Sequence, residues 1–375
     1  MVAWTELEVP TPALVLDHDR LVANLDGLRS HTAAHGVSLW PHAKTHRMAS
    51  LGRLQLERGA DGLTVAKLGE AEAFADAGAT RLFVAYPVVG HAVAVRAVAL
   101  ARRLDALMLG VDSVAGASAL GAEFARAGRV ATVVLAVDTG LGREGALPED
   151  VPELARAIAA VEGIDVVGLY THEGSVYASA DVLERTARSE RIARDLVALG
   201  DRLRADGMGI REISLGASPS VAIVATVPGV TQVRPGIYAT GDLGQVALEA
   251  MTLESTAIRV VATVVSRPAP DRGCLDAGSK ALSGDLLTAS ALRDRYPGHG
   301  LIEGHPGWTI ERVSEEHGWL RWVGAGEPTP LPVGARVAIV PNHACMAFAA
   351  LRRAYVVTGG AVTDVWDAFG PGTST

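Results

Sequence analysis

Residues 81–112, RLFVAYPVVGHAVAVRAVALARRLDALMLGVD, contain a complete strand–helix–strand pattern. The runs RLFVAYP (81–87) and DALMLGVD (105–112) are short and almost continuously apolar, which is typical of strands in a parallel sheet covered by helices. The segment 90–103 between them is rich in Ala, Val and Arg and has the spacing of an amphipathic helix. This stretch therefore predicts two parallel strands joined through a helix.

The same alternation runs through the first part of the chain. The predicted strands are ALVLD (13–17), SLWPHAK (38–44), GLTVA (62–66), RLFVAYP (81–87), DALMLGVD (105–112), ATVVLAVDTG (131–140), DVVGLYTHEG (165–174) and EISLGASPS (212–220). The predicted helical segments are 67–77, 90–103, 114–127, 149–161 and 180–205. Eight strands separated by helices or loops favour a (β/α)₈, TIM-like barrel over residues 13–250. A doubly wound open sheet is the alternative that periodicity alone leaves open.

After residue 250 the pattern changes from alternating strands and helices to strands alone. STAIRVVATVVSRP, RGCLDAG, WLRWVG, ARVAIVP and AYVVTGGAVTDVWDAF are β-rich and are separated by Gly and Pro turns. This pattern predicts a second, mostly antiparallel β domain over residues 251–375. Residues 1–12 can pair with either part.

Composition excludes several classes of protein. The net charge is 34 − 42 = −8 and no run of Lys or Arg occurs, which argues against nucleic acid or a membrane surface as a partner. Apolar stretches are broken by charges before they reach membrane-spanning length. The two cysteines, Cys274 and Cys345, do not suggest a disulfide framework. The N-terminus shows no signal-peptide pattern, so a cytoplasmic enzyme is expected.

Polar residues follow the predicted strands at their carboxyl ends, where barrel enzymes carry their sites. Lys44, within WPHAKTHRM (40–48), is either an ordinary solvated charge or a lysine that forms an imine with an aldehyde. Partial desolvation makes a lysine amine nucleophilic near neutral pH, which suits the second interpretation. Arg143 lies in VDTGLGREG (137–145), where nearby glycines allow a backbone to approach a ligand closely.

A turn of the kind that binds phosphate follows the eighth predicted strand. Gly216, Ala217 and Ser218 can present backbone N–H groups and a hydroxyl to an oxyanion, with an ordinary turn as the alternative. Arg234 follows shortly after, in RPG (234–236), and a turn with an exposed arginine is again the alternative. Together, a lysine, a phosphate-type turn and two arginines at one end of a barrel indicate a phosphorylated aldehyde held as an imine.

A second group of candidate residues lies in PNHAC (341–345), after the predicted strand ARVAIV (335–340). His343 and Cys345 are two apart, so on an extended segment their side chains point to the same side. Imidazole and thiolate are ligands typical of zinc, whereas a buried cysteine beside a hydrogen-bonded histidine is the alternative. Two protein ligands would leave positions open for substrate and water.

These motifs together resemble the D-serine dehydratase and D-threonine aldolase family of alanine racemase-like, fold type III pyridoxal-phosphate enzymes. The motifs that carry the resemblance span nearly the whole chain: PHAKTH (41–46), VDTGLGREG (137–145), SLGASPS (214–220), VRPGIY (233–238), DAGSKALSGD (276–285), SEEHG (314–318) and PNHAC (341–345). The resemblance implies a barrel that carries the cofactor, a β domain and a homodimer.

The resemblance also implies a role for each candidate residue. Lys44 would bind pyridoxal 5'-phosphate covalently, Arg143 would contact its phenolic oxygen and Tyr177 would lie near the pyridine nitrogen. His343 and Cys345 would hold a divalent metal, zinc with manganese as an alternative. For His42 and His46, a structural role competes with a chemical one. The residues implied to hold the phosphate are Gly216, Ala217, Ser218, Gly236 and Ile237.

Two reactions of β-hydroxy-D-amino acids fit this set of residues. A dehydratase gives a 2-keto acid and ammonia, with Lys44, His343 and Cys345 as the catalytic residues, whereas an aldolase gives glycine and an aldehyde. The pair His343-x-Cys345 resembles the dehydratases, since the aldolases often have H-x-D. The aldolases also tend to have a histidine where this chain has Ala178. The sequence therefore favours dehydration of D-serine or D-threonine type.

Two other classes remain open. A protein that only carries pyridoxal phosphate would not need the region 251–375, and a racemase would leave PNHAC without a role. The preferred side chain of the substrate depends on loops such as 283–318. His305, Trp308 and His317 are candidates for that pocket, with a surface loop as the alternative.

Overall fold

The computed structural model describes residues 3–375, apart from the side chains of Pro371 and Ser374, and contains two β-sheets. The strands are β1 (Ala13–Asp17), β2 (Ser38–Leu39), β3 (Leu63–Val65), β4 (Arg81–Pro87), β5 (Ala106–Val111), β6 (Ala131–Ala136), β7 (Ile164–Tyr170), β8 (Glu212–Leu215), β9 (Gln232–Val233), β10 (Ile258–Ala269), β11 (Arg272–Leu275), β12 (Leu301–Ile302), β13 (Trp308–Val313), β14 (Gly318–Trp322), β15 (Arg336–Val340), β16 (Arg353–Thr358) and β17 (Ala361–Asp367).

Twelve α-helices accompany the strands in the described part of the chain. They are α1 (His18–Ala34), α2 (Ala49–Glu57), α3 (Leu68–Asp76), α4 (His91–Ala101), α5 (Val114–Arg126), α6 (Val151–Ala159), α7 (Val182–Ala205), α8 (Val221–Val224), α9 (Leu243–Ala247), α10 (Ser279–Leu282), α11 (Ser290–Arg295) and α12 (Ala344–Leu351). None of these helices combines the length and the apolar character needed to cross a bilayer.

Strands β2 to β9 form the predicted parallel barrel. Neighbouring strands pair in chain order from β3 to β9, and β9 pairs in turn with β2. The circle closes at a parallel bridge between His42 and Thr64, where the Thr64 N–H donates to the Pro41 carbonyl oxygen at 2.8 Å. The strands are largely buried because helices cover the outside, which explains their continuous apolar runs. The barrel prediction is confirmed, and the open-sheet alternative is wrong.

One predicted barrel strand belongs to the other sheet. β1 pairs antiparallel with β10 and parallel with β16, while the eighth barrel strand is the two-residue β9. All five residues of β1 are buried, so its sequence has the same apolar pattern as a barrel strand. Pattern alone could not separate the two positions. The division at residue 250 stays a prediction.

The second sheet is mostly antiparallel, as predicted. Its strands follow the order β13-β14-β11-β10-β1-β16-β17, with β15 also paired to β10 and β12. Trp4, Leu7 and Val9 pack on this sheet in a small apolar cluster, and the assignment of residues 1–12 to either domain stays a prediction. The first two residues, which the prediction also covered, lie outside the described residues.

The core of the second sheet reaches into the mouth of the barrel. Met48 and Leu51, just after the Lys44 turn, and Ile237 and Tyr238, after β9, are buried in the same cluster as strands β10 and β15. Loops that leave the barrel are therefore held by the second core. This contact places the carboxyl ends of the barrel strands against α12.

The PNHAC segment is not extended throughout, contrary to the prediction. His343 is the extended N-cap residue of α12, and Cys345 lies in the first turn of that helix. The sequence ACMAFAAL is rich in Ala, Leu and Met, which have high helix propensity. The two side chains nevertheless line the same cavity.

Candidate active site

A cavity of about 980 Å³ lies between the carboxyl ends of the barrel strands and α12. It brings together all the residues that the sequence predicted to bind the cofactor or the metal: Lys44, Arg143, Tyr177, Gly216, Ala217, Ser218, Gly236, Ile237, His343 and Cys345. Loop residues Asp285 to Thr288 also line it. Of the proposed pocket residues, His305, Trp308 and His317 are not among the described lining residues, and Trp308 packs against Trp322 instead.

Lys44 lies in a 3₁₀ turn, Ala43–Thr45, directly after the barrel strand β2. The N–H groups of His46 and Arg47 both donate to the Ala43 carbonyl oxygen, at 3.2 and 2.9 Å, and close this turn. Burial lowers the pKa of the Lys44 ammonium, and the charges of Arg143 and Arg234 add to this effect against the opposing effect of Cys345. A larger fraction of the amine is therefore neutral and nucleophilic than for an exposed lysine.

The two histidines that flank Lys44 have different surroundings. His46 is buried, its Nε2 lies 3.3 Å from Gln55 Oε1 and its Nδ1 accepts from the Met48 N–H at 3.0 Å. Burial lowers the pKa of His46 to about 4, so the ring is neutral and holds the turn. His42 lines the cavity, and burial, followed by the charges of Lys44 and Arg234, lowers its pKa well below the ordinary value.

The turn after β8 has the geometry of an anion cradle. Gly216 has φ +109°, a left-handed conformation that suits glycine, and a Cβ at Gly236 would lie 2.4 Å from Thr45 Oγ1. Ser218 Oγ accepts from the Ile237 N–H at 2.8 Å and so joins the loops after β8 and β9. Both glycines line the cavity, and the absence of a Cβ at each lets the loops after β8 and β9 pack closely against neighbouring protein atoms.

Glu173 is a site residue that sequence reasoning missed. Its carboxylate is buried, and Oε1 accepts from the Ala217 N–H at 2.7 Å and from the Ser220 hydroxyl at 2.5 Å. It thus joins the loop after β7 to the cradle after β8. The sequence THEG showed a polar loop, but no motif indicated that this carboxylate would turn inward.

Arg143 lies on a loop that one carboxylate organises. Asp138 Oδ1 accepts backbone N–H groups of Gly140 and Leu141, each at 2.9 Å, and of Gly142 at 3.1 Å. Burial raises the pKa of Asp138, but these hydrogen bonds outweigh it and hold the pKa below its usual value. Arg143 forms an ion pair with Glu144 and is half-exposed at the cavity.

Aromatic and cationic side chains form the deep wall of the cavity. The rings of His172 and Tyr177 lie 6.5 Å apart. Burial lowers the pKa of His172 to about 3, with the charges of Lys44, Arg143 and Arg234 adding to the effect, and burial raises the pKa of Tyr177. Arg234 is buried, donates from Nε to Ser214 Oγ at 2.8 Å and lies 5.3 Å from the Tyr170 ring centre.

His343 and Cys345 face the barrel from the start of α12. His343 Nδ1 lies 3.0 Å from Asp285 Oδ2, and Cys345 Sγ lies 3.4 Å from Thr45 Oγ1, next to Lys44. Buried Asp242, which the sequence did not single out, accepts the Ala344 N–H on Oδ2 and the Gln245 N–H on Oδ1, both at 2.9 Å. One carboxylate therefore caps α9 and α12 together and fixes where His343 and Cys345 stand.

The donor atoms fit a metal that keeps open positions. Since Asp285 engages Nδ1, the Nε2 atom of His343 is the nitrogen left for a metal, and a carboxylate behind a ligating histidine is a common arrangement. Hydrogen bonding to Cys345, with a further contribution from Asp285, raises the pKa of His343 to about 10. No group of three or more His, Cys, Asp or Glu side chains within residues 3–375 forms a metal-binding cluster.

The residues also fit pyridoxal phosphate. A lysine with a lowered pKa, a cradle with little side-chain bulk and nearby arginines match the aldehyde, the phosphate and the anionic ring oxygen of that cofactor.

Comparisons with known proteins agree with this reading. Residues 16–244 match the family described as alanine racemase, N-terminal domain, and residues 257–357 match the putative serine dehydratase domain. The chain is 35% identical over 354 residues to D-threo-3-hydroxyaspartate dehydratase of Delftia sp. (strain HT23), covering 91% of this chain and 92% of that one. It is 32% identical over 363 residues to D-threonine aldolase of Arthrobacter sp, covering 96% and 92%.

A solved structure is similar over nearly the whole chain. It is a cysteine-to-alanine mutant of D-threo-3-hydroxyaspartate dehydratase in the metal-free form, with a TM-score of 0.88, 31% identity and coverage of 97% of this chain and 99% of that one. The protein therefore belongs to the alanine racemase-like, fold type III family of pyridoxal-phosphate enzymes that contains the D-serine dehydratases and D-threonine aldolases. Its curated relatives are lyases of β-hydroxy-D-amino acids, and this chain is a lyase of that family.

Proposed function

We propose that this protein dehydrates β-hydroxy-D-amino acids to a 2-keto acid and ammonia, with pyridoxal phosphate and a divalent metal. The observation that carries the proposal is that Lys44 from the barrel and His343 and Cys345 from α12 line one cavity. The 3.4 Å contact between Cys345 Sγ and Thr45 Oγ1 places the proposed metal ligands beside the lysine turn. Names of similar proteins support both dehydratase and aldolase chemistry, and the His343-x-Cys345 pair favours dehydration.

The proposed roles differ between the two walls of the cavity: the barrel wall would bind the cofactor, and the α12 wall would bind the metal. When bound, pyridoxal phosphate supplies an electron sink for charge at Cα, and the metal supplies a Lewis acid for the β-hydroxyl. Lys44 would hold the cofactor covalently, and its neutral amine would take the proton from Cα of the bound substrate. The lowered pKa of Lys44 suits both steps. His343 and Cys345 would hold the metal that assists departure of the Cβ hydroxyl as water.

Other residues of the cavity would bind and orient the cofactor. Backbone at Gly216, Ala217, Gly236 and Ile237, together with Ser218, would surround the phosphate. The Ala217 N–H already donates to Glu173 and the Ile237 N–H to Ser218, so these two donors would be shared or exchanged on binding.

Arg143 would lie at the phenolic oxygen of the cofactor, and Tyr177 near its pyridine nitrogen. We further propose zinc, with manganese as an alternative, a homodimer and a cytoplasmic location. Elemental analysis and light scattering test the first two, and fractionation of cells that produce the protein tests the third.

Product analysis tests the proposed reaction. The purified holoenzyme is incubated separately with D-threo-3-hydroxyaspartate, D-serine and D-threonine, and keto acids, ammonia, glycine and aldehydes are assayed together. We expect equal amounts of keto acid and ammonia from at least one substrate. Glycine and an aldehyde in equal amounts would show an aldolase instead, and a change of configuration at Cα without cleavage would show a racemase.

A further inference from the structure

Two of the four arginines that line the cavity, Arg234 and Arg352, form no ion pair with a carboxylate among the described residues, and only Arg352 of these two is partly exposed. Arg47 pairs with buried Glu70 at 2.7 Å, and Arg143 pairs with Glu144. Arg234 is buried between aromatic rings and donates to Ser214 and Thr171. Arg352 is half-buried and lines the cavity, and it forms no ion pair with any carboxylate in residues 3–375.

The guanidinium of Arg352 is held in place by a neutral group. Its Nη2 donates to the Phe369 carbonyl oxygen at 2.6 Å, and the Phe369 N–H donates to the Arg47 carbonyl oxygen at 2.8 Å. The Phe369 ring packs edge-on to Phe74 with centres 4.8 Å apart. One donor of Arg352 is thus fixed while its remaining N–H groups and its charge stay available to a ligand.

The backbone at Arg352 indicates that the side chain itself matters. Arg352 ends α12 in the left-handed conformation, with φ +58°. Glycine is the usual residue at such a helix end because it has no Cβ. An arginine at a position that favours glycine, on the wall of a cavity, suggests a role for its guanidinium.

Arg352 shares one face of α12 with a proposed metal ligand. Cys345, Phe348, Ala349 and Arg352 all line the cavity and follow the three- and four-residue spacing of a helix face. The first and the last are seven positions apart, or about 10 Å along the helix axis. A substrate with its β-hydroxyl at the Cys345 end can therefore direct the other substituent of Cβ along this face toward Arg352.

We infer that Arg352 recognises a carboxylate on the substrate side chain, so that the preferred substrates are dicarboxylic β-hydroxy-D-amino acids. A partly desolvated guanidinium binds carboxylates through charge-assisted, two-point hydrogen bonds. This inference rests on the proposed function for the position of the hydroxyl. It adds the side-chain class, which neither the motifs nor the cradle determine.

The test measures binding of D-aspartate and D-alanine to the holoenzyme from the change in cofactor absorbance. Neither compound has a β-hydroxyl, so recognition is separated from dehydration. The variants are Arg352→Gly, which suits the left-handed backbone, and Arg352→Lys, which keeps the charge but loses the planar fork. The control is Arg353→Gln, because the adjacent Arg353 pairs with Asp367 outside the cavity. Thermal unfolding checks that each variant folds.

We expect Arg352→Gly to weaken D-aspartate binding about 10- to 100-fold, with D-alanine within about twofold of the parent protein. Arg352→Lys should weaken D-aspartate binding less than Arg352→Gly does, and Arg353→Gln should not change it. Equal losses for both amino acids would place the α-carboxylate at Arg352 and overturn the inference, as would no loss for either. If the parent protein binds D-aspartate through Arg352 but forms no keto acid from D-threo-3-hydroxyaspartate, the proposed dehydration fails while the recognition stands.

Discussion

The two walls of the cavity are built in different ways. The barrel wall presents Lys44 and the 216–218 and 236–237 cradle from several loops, each tied to its neighbours through His46, Glu173 or Ser218. The opposite wall includes one short helix, α12, and the Asp242 carboxylate accepts a hydrogen bond from the first residue of that helix. The residues that we propose to bind the cofactor thus lie on the more highly connected wall. The residues that would decide what happens at Cβ lie on the simpler one.

Because the two walls are built separately, the residues near Cβ can differ between related enzymes while the cofactor-binding residues stay the same, and one type of site can then catalyse more than one reaction. Changes on α12 need not disturb the lysine turn, which α12 meets at the 3.4 Å contact between Cys345 Sγ and Thr45 Oγ1. We therefore expect that substitutions in one wall of the cavity can impair its role while the other wall keeps its own.

The largest effect is expected from the barrel wall. Lys44→Ala should reduce keto-acid formation by about 1,000-fold or more, because it removes both the covalent attachment point and the base. The assay is the steady-state rate with saturating cofactor. Lys67→Ala is the control, since Lys67 lies over the Tyr86 ring and does not line the cavity. A Lys44→Ala protein with near-normal rate would refute the assignment.

Substitution of a proposed metal ligand on the α12 wall should strongly reduce keto-acid formation and leave cofactor binding unchanged. His343→Ala should lower the rate about 100- to 1,000-fold, because a metal's Lewis-acid contribution amounts to several kcal/mol. Metal content should fall with it, while the cofactor absorbance stays as in the parent protein. Loss of the cofactor together with the metal would show that the two walls are not separable.

The cradle offers a smaller and more specific effect. Gly236→Ala should weaken pyridoxal phosphate about tenfold, because the new Cβ would lie 2.4 Å from Thr45 Oγ1 and push the turn away from the phosphate. Gly209→Ala is the matched control, since a Cβ there meets nothing within 4 Å. Binding of pyridoxal, which has no phosphate, should change less than binding of pyridoxal phosphate. Equal changes for both ligands would argue against a phosphate cradle.

The smallest expected effect is a difference in the pH at which two lysine side chains become reactive. Burial lowers the pKa of Lys44, whereas hydrogen bonding to Glu316 raises the pKa of exposed Lys280. Because only the neutral amine reacts, labelling of Lys44 in the cofactor-free protein by a small acylating reagent should reach half its maximal rate at a lower pH than labelling of Lys280. Peptide mass spectrometry gives both profiles from one sample. The opposite order would contradict the burial argument.

Much of this organisation could be predicted from the sequence, since apolar runs and helical spacing depend on local burial. The pattern failed for β1, because a strand at the centre of the second sheet is as buried as a barrel strand. It also failed for α12, because the strand ends at Val340 and the Ala-rich helix begins only four positions later, at Ala344.

The residues of the candidate site could likewise be predicted only in part. Residues within recognisable motifs, such as Lys44, His343 and Cys345, line the cavity as expected. Glu173 and Asp242 were missed because their roles depend on partners 44 and 102 residues away along the chain. Long-range hydrogen bonds of this kind leave no periodic signal in the sequence.

The most direct test of the separation between the walls is chelation of the holoenzyme, followed on one sample by cofactor absorbance and by keto-acid formation. We expect unchanged absorbance, a fall in keto-acid formation of about 100-fold or more, and recovery when zinc or manganese is added. Keto-acid formation that persists after the metal is removed would contradict a metal role for His343 and Cys345. Loss of the cofactor signal along with the metal would contradict the division of labour between barrel and helix.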